Sequence, residues 1–175
     1  MENRDLLTPE QGQMLVSLAR QALDARIRLK SRPAGPKSGS VDPRLREKGA
    51  TFVTLTVGEL LRGCIGSPEA SVSLIEDVQE NAVRAATMDP RFPPVTVEEL
   101  SQIHIEVSVL TPPRLLDCPP EERARSVRPG IDGLLLTSGF YRGLLLPQVW
   151  EKIPDPEEFL RTLCYKAGLS SGAWK

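Results

Sequence analysis

The segment 61–66, Leu-Arg-Gly-Cys-Ile-Gly, carries the residue types best suited to chemistry in this chain. Gly63 and Gly66 allow other atoms to approach the backbone closely and free its N–H groups for a ligand. Cys64 between them is a candidate nucleophile, and Arg62 is a candidate holder of an anion. A helix is predicted to start soon afterwards, and a helix N-terminus favours an anion nearby. The alternative is a small buried thiol in a tight glycine turn.

A second polar cluster follows in the run Asp89-Pro90-Arg91-Phe92. Asp89 and Arg91 either pair with each other across the proline, or Arg91 contacts a phosphate group. Phe92 is expected to anchor the loop in both cases. Lys166 is a further candidate near the end of the last predicted helix, where a cation also interacts favourably with the helix dipole.

One histidine and three cysteines limit the metal chemistry of the chain. His104 is the only imidazole, which excludes a zinc site with several histidine ligands in one chain. Cys64, Cys118 and Cys164 are widely spaced, without a C-x-x-C pair, so we predict no metal site. His104 and Glu106 form either an acid–base pair, a Cys–His arrangement with Cys64, or simply a polar strand surface.

Composition excludes several classes of protein. A length of 175 residues suits one domain. The 22 Lys and Arg nearly balance the 23 Asp and Glu, which argues against a surface built wholly to bind nucleic acid or a membrane. No apolar run approaches the roughly 18 residues of a membrane-spanning helix. The first five residues are too polar for a secretory signal, so we predict a cytoplasmic protein without membrane contact.

Hydrophobic periodicity and capping residues predict the elements that position these side chains. Capping boxes begin the first two helices, and strict apolar–polar alternation marks the strand around His104. The predicted fold class is α+β with mostly antiparallel pairing. The predicted elements are helices at 8–30, 74–86, 120–127 and 155–167, and strands at 49–57, 60–66, 103–109, 134–137 and 143–146.

Residues 31–48 interrupt this order with three prolines and two glycines. We predict a flexible, basic loop here, because loops of this length are commonly functional or mobile. Residues 26–48 hold eight Lys and Arg and two acidic residues, a local charge of +6. The segment is either a solvated surface or a basic arm for an acidic partner.

Together, these segments resemble the AMMECR domain family, also called protein A of the AmmeMemoRadiSam system. The resemblance runs from about residue 10 to the end of the chain, and the motif at 61–66 is its most specific part. The matching segments are 52–55, 61–66, 82, 85–86, 89–92, 105–110, 130, 133–134, 146–149, 159–160, 164 and 166–169.

The resemblance implies a two-lobed α+β domain over residues 1–175, with a Memo-like protein and a radical S-adenosylmethionine protein as partners. It names neither a substrate nor a cofactor. The family's domain continues past Trp174 into a final strand, so we predict a chain truncated at its C-terminal end. The residues that match candidate site positions are Cys64 as the catalytic group and Arg62, Gly63, Gly66, Asp89, Arg91, Glu106, Gln148 and Lys166 as substrate-binding groups.

Three functions remain open at this point. The chain is an enzyme or enzyme subunit with Cys64 as nucleophile, or a nucleotide- or RNA-binding module that uses Arg62 and Arg91, or an interaction subunit in which the 61–66 motif is structural. The glycine-flanked thiol places the enzyme slightly ahead of the other two.

Overall fold

The structure, a computed structural model, describes residues 6–31 and 41–175. The chain divides into two compact units between residues 112 and 113. Every strand pairing in the described part is antiparallel, so the predicted two-lobed α+β fold is confirmed. No helix in that part is both long and apolar enough to cross a membrane. The helices and strands are α1 Pro9–Ile27, β1 Ala50–Val57, β2 Leu60–Gly66, α2 Leu74–Thr87, β3 Ile103–Leu110, α3 Arg123–Ser126, β4 Leu134–Ser138, β5 Tyr141–Leu145 and α4 Pro156–Lys166.

The first unit is a three-stranded sheet, in the order β2-β1-β3, with two helices on one face. Helix α2 packs against β1 and β2, and α1 packs against α2 and β3. Alternation along β1 explains this arrangement, because Val53 and Leu55 point to the helices and are fully buried. The opposite face of the sheet therefore carries Thr54 of β1, Cys64 of β2 and Glu106 of β3.

A buried polar network fixes α2 on the sheet. The carboxylate of Asp77 accepts hydrogen bonds from both the N–H and the hydroxyl of Thr51, each at 2.7 Å. The side-chain amide of Asn81, one turn later, donates to the same carboxylate at 2.9 Å and to the carbonyl of Thr51 at 3.1 Å. Buried polar groups need such partners, and these bonds set the position of the helix along β1.

Helix α1 begins as predicted and ends earlier. Thr8 and Gln11 form the expected capping box. The helix ends at Ile27 and not at residue 30, because Lys30 has a φ of 51°, which is incompatible with a right-handed helix.

The segment predicted as a flexible loop is partly regular. Residues 32–40 lie outside the described residues. Pro43–Arg46 form a 3-10 turn that buries Leu45, and Lys48 makes a β-bridge with Ser73. A single apolar residue between two arginines produces no periodicity, so the sequence pattern could not reveal this turn.

The second unit combines the β4–β5 hairpin with α3 and α4. Its core contains the stacked rings of Trp150 and Phe159, with centroids 3.7 Å apart. Gly143 of β5 lies against α4, where an added Cβ would sit 2.8 Å from the carbonyl oxygen of Leu163. The hairpin and the final helix lie where the sequence predicted them, with bounds that differ by one or two residues.

Candidate functional site

Three polar side chains form one row across the sheet of the first unit. Cys64 of β2 pairs with Thr54 of β1, and Thr54 pairs with Glu106 of β3. Directly paired residues share one face of a sheet. Gly63 faces α2, since a Cβ there would lie 2.2 Å from the carbonyl oxygen of Ala85, so its neighbour Cys64 points away from the helices. We call this side the polar face, defined by Cys64, Thr54 and Glu106.

Cys64 is held through its backbone and its side chain. Its N–H donates to Oδ2 of Asp89 at 2.8 Å, and its carbonyl accepts from Nη2 of Arg91 at 3.4 Å. Both backbone groups therefore point away from β1, which makes Cys64 and Thr54 a non-hydrogen-bonded pair with closely spaced side chains. Consistently, Oγ1 of Thr54 donates to Sγ of the half-buried Cys64 at 3.3 Å.

The Asp89–Arg91 pair covers the outer edge of β2 at Cys64. Nε and Nη2 of Arg91 donate to the two carboxylate oxygens of Asp89 at 2.9 and 2.7 Å. Asp89 is buried, whereas about half of the Arg91 side chain is exposed and lies over the ring of Phe92. Hydrogen bonds from Arg91 hold the pKa of the Asp89 carboxyl far below its usual range, against the opposing effect of burial. The pair is therefore ionised at neutral pH.

Arg62 forms a second ion pair, with Glu99. Its Nε and Nη2 donate to the carboxylate of Glu99 at 2.6 and 3.1 Å, and Nη1 donates to the carbonyl of Pro93 at 2.9 Å. This bonding lowers the pKa of Glu99 to about 2. A β-bulge between Leu55 and Thr56 interrupts the register beside Arg62, so simple alternation does not place it with Cys64. Arg62 thus holds the loop at residues 93–99, and its predicted role as an anion holder stays a prediction.

The two motif glycines are explained by packing. At Gly63, α2 approaches so closely that any Cβ would collide with a backbone carbonyl. At Gly66, a Cβ would meet the ring of Phe52 at 2.2 Å. The close approach at both glycines is therefore made by atoms of the protein itself, and their predicted role in substrate binding stays a prediction.

The helix that follows the motif does not aim its N-terminus at Cys64. Ala85, near the end of α2, is the residue beside Gly63, and Leu74 at the start of α2 lies roughly 16 Å away along the helix axis. The predicted contribution of the helix dipole to an anion site at Cys64 is thus absent, because α2 runs antiparallel to β2.

His104 does not form the considered dyad with Cys64. It is exposed on β3 and pairs with Thr56, one row away from the row of Cys64. No hydrogen bond joins the two side chains within the described residues. The described part of the chain also brings together no group of three or more His, Cys, Asp or Glu side chains that could hold a metal ion.

Gln148 and Lys166 belong to the second unit. Gln148 is exposed in the 3-10 turn Pro147–Glu151, and Lys166 is the last residue of α4. A cation in the last turn of a helix interacts favourably with the helix dipole. Their predicted role in substrate binding stays a prediction.

Sequence reasoning missed two residues of the site. Thr54 carried no signal beyond its place in a strand, and only the register sets its hydroxyl beside the thiol. Glu99 lies 37 positions from Arg62, and no local pattern links two residues at that separation.

Comparison with known proteins identifies the family. The AMMECR1 family model matches residues 16–175. Protein PF1979 of Pyrococcus furiosus is 45% identical over 175 residues, covering 94% of this chain and 80% of that protein. Protein MJ0810 of Methanocaldococcus jannaschii is 45% identical over 179 residues, covering 97% and 84%.

A solved structure agrees with this match. The crystal structure of the uncharacterised protein PH0010 from Pyrococcus horikoshii superposes with a TM-score of 0.90 at 44% identity. The superposition covers 96% of this chain and 85% of that one. Sequence and fold thus agree over nearly the whole chain, which belongs to the AMMECR1 family.

Proposed function

We propose that this chain is an enzyme, or the subunit of an enzyme, in which Cys64 is the nucleophile. The supporting observation is the way Cys64 is held, with both backbone groups bound by Asp89 and Arg91 and its sulfur in contact with Thr54. A thiol fixed in this way on a polar face meets the geometric requirement of nucleophilic catalysis, which is a positioned reactive atom.

The proposed step is a displacement at an electrophilic carbon of the substrate. A carbon–sulfur bond forms while the bond from that carbon to the leaving group breaks, and the leaving group departs with the bonding electrons and takes up the thiol proton. Water then displaces the sulfur, which regains a proton, so the enzyme is restored. Arg91 stays cationic throughout, because its pairing with Asp89 raises its pKa.

The test is the rate at which each cysteine of the folded protein reacts with iodoacetamide, read by peptide mass spectrometry. Cys118 is the matched control, because it has the same intermediate exposure as Cys64, whereas Cys164 is buried. We expect Cys64 to react about tenfold faster than Cys118. If Cys64 reacts no faster than Cys118, or only after unfolding, it is a packing residue and the proposal fails.

The Thr54→Val variant sharpens this test. It keeps the shape of the side chain and removes the hydroxyl that donates to Sγ of Cys64. We expect a slower reaction of Cys64 in this variant and an unchanged rate at Cys118. An unchanged rate at Cys64 would show that the hydroxyl has no part in its reactivity.

The partners and the cellular location are part of the same proposal. We propose the Memo-like and radical S-adenosylmethionine proteins as partners, on the resemblance alone, and a cytoplasmic location for the chain. Co-purification from a host that produces all three proteins tests the partners. Retention of both by the wild-type chain supports the proposal, and loss of both at low salt opposes it.

A further inference from the structure

We propose that Arg91 forms an anion subsite beside Cys64, so that the substrate of this site is a small molecule with a carboxylate or phosphate group. The inference rests on the proposed function, since it names the class of molecule on which Cys64 acts. It is carried by the position, the exposure and the fixed orientation of the Arg91 guanidinium.

The guanidinium lies against the backbone of the reactive residue itself. Its Nη2 contacts the carbonyl oxygen of Cys64, and the N–H of the same residue binds the carboxylate that holds Arg91. An anion on Arg91 would therefore lie beside the residue that carries the thiol. A substrate bound there would have its charged group fixed and a neighbouring carbon within reach of the sulfur.

Asp89 leaves one side of the guanidinium available. The bidentate contact uses Nε and Nη2, and Nη1 makes no hydrogen bond to the residues that the structure describes. Because the side chain is 54% exposed and its plane is fixed by the buried carboxylate, an anion can bind to Nη1 without ordering a flexible arginine first. The N–H donors of Nη1 can bond to an oxygen of either a carboxylate or a phosphate group.

Arg62 offers no comparable site. Its three nitrogens already bind Glu99 and two backbone carbonyls, and the side chain is 13% exposed. An anion could reach Arg62 only by displacing Glu99. The structure therefore separates the two arginines that the sequence had put forward together as anion holders.

The experiment compares two alkylating reagents that differ in charge. Iodoacetate is an anion and iodoacetamide is neutral, and both transfer a two-carbon group to the sulfur with release of iodide. The measured quantity is the ratio of their rates at Cys64 in the folded full chain, divided by the same ratio in the urea-unfolded chain. We expect the folded site to favour iodoacetate by at least about fivefold.

Three variants assign the effect to Arg91. Arg91→Gln should abolish the preference, and Arg91→Lys should retain part of it because the charge remains. Arg161→Gln is the matched control, since that arginine is 52% exposed and ion-paired on α4, and it should change nothing. The iodoacetamide rate in each variant reports whether the site is still folded.

A measurement on the unmodified protein is independent of folding effects in the variants. Inorganic phosphate or acetate, added at constant ionic strength, should slow iodoacetate at Cys64 and leave iodoacetamide unaffected. Competition by phosphate assigns a phosphate group to the substrate, and competition by acetate alone assigns a carboxylate. Equal rate ratios in the folded and unfolded chain, with Cys64 reactive, overturn the anion subsite and leave the proposed function standing. A Cys64 that reacts with neither reagent overturns both.

Discussion

The two arginine–carboxylate pairs beside β2 are opposite in construction. In the Arg62–Glu99 pair the arginine is inside, at 13% exposure, and the carboxylate is 30% exposed. In the Asp89–Arg91 pair the carboxylate is inside, at 2%, and the arginine is 54% exposed. In the first pair all three guanidinium nitrogens hold residues 93–99, whereas the second pair holds Cys64 and presents a cation to solvent. An arginine paired with a carboxylate thus holds a loop in one place and forms a candidate binding group in the other.

Removing the carboxylates should reveal this difference most strongly. Asp89→Ala leaves the N–H of Cys64 without its acceptor in a buried place, so we expect a loss of about 2–4 kcal/mol in the free energy of unfolding. Glu99→Ala leaves Arg62 with two carbonyl acceptors and leaves only an exposed N–H, that of Thr96, without its acceptor, so it should cost about 1–2 kcal/mol. Urea denaturation with unchanged m-values measures both losses. Equal losses would show that the two pairs are energetically alike.

The pH dependence of the free energy of unfolding tests the same pairs, because it depends on the protonation of their carboxyls. Both carboxyls have a folded-state pKa below the unfolded value, so the unfolded chain binds protons first as the pH falls. The stability that the two carboxyls contribute is therefore complete above about pH 4.5. For Glu99, whose pKa is about 2, this contribution declines as the pH falls towards that value. Glu99→Gln should remove on the order of 2 kcal/mol of this decline, after allowance for solvent screening.

Asp89→Asn should flatten the most acidic part of the same curve, because the pKa of Asp89 is depressed further than that of Glu99. Thermal or urea unfolding at a series of pH values, at constant ionic strength, provides the measurement. Curves for both variants that run parallel to the wild type would contradict the assigned ion pairs.

Lysine substitutions give the smallest expected difference between the two pairs in the free energy of unfolding. Arg62→Lys loses the planar fork that reaches Glu99 and two carbonyls at once, and should cost about 1–2 kcal/mol. Arg91→Lys keeps a charge at an exposed position and should cost less than about 1 kcal/mol. The free energies of unfolding of the two variants, compared with wild type in one buffer, decide the order. A larger cost at Arg91 would reverse the roles assigned to the two arginines.

The elements of the fold were predictable where the signals are local. The capping boxes at Thr8 and Ser73 involve residues three positions apart, and the alternation in β3 spans the seven residues 103–109. The 3-10 turn around Leu45 and the early end of α1 at Ile27 were not predictable, since packing and the unusual φ angle of Lys30 decide them.

The candidate site was likewise predictable only in part. The sequence identified Cys64, Asp89 and Arg91 as chemically interesting and the motif glycines as points of close approach. It did not reveal which protein atoms approach the glycines, because nothing local shows that α2 and the ring of Phe52 occupy those spaces. It also treated Arg62 and Arg91 alike, because their partners and burial depend on the fold.

What the sequence alone determined is the set of helices and strands, their antiparallel α+β assembly and the residues able to do chemistry. These follow from hydrophobic periodicity, capping and side-chain type, all of which act over a few residues. Only the tertiary structure decided that Thr54 meets Cys64, that Glu99 neutralises Arg62 and that Arg91 remains exposed. Those outcomes depend on strand register and on contacts between residues far apart in the chain, which no local pattern encodes.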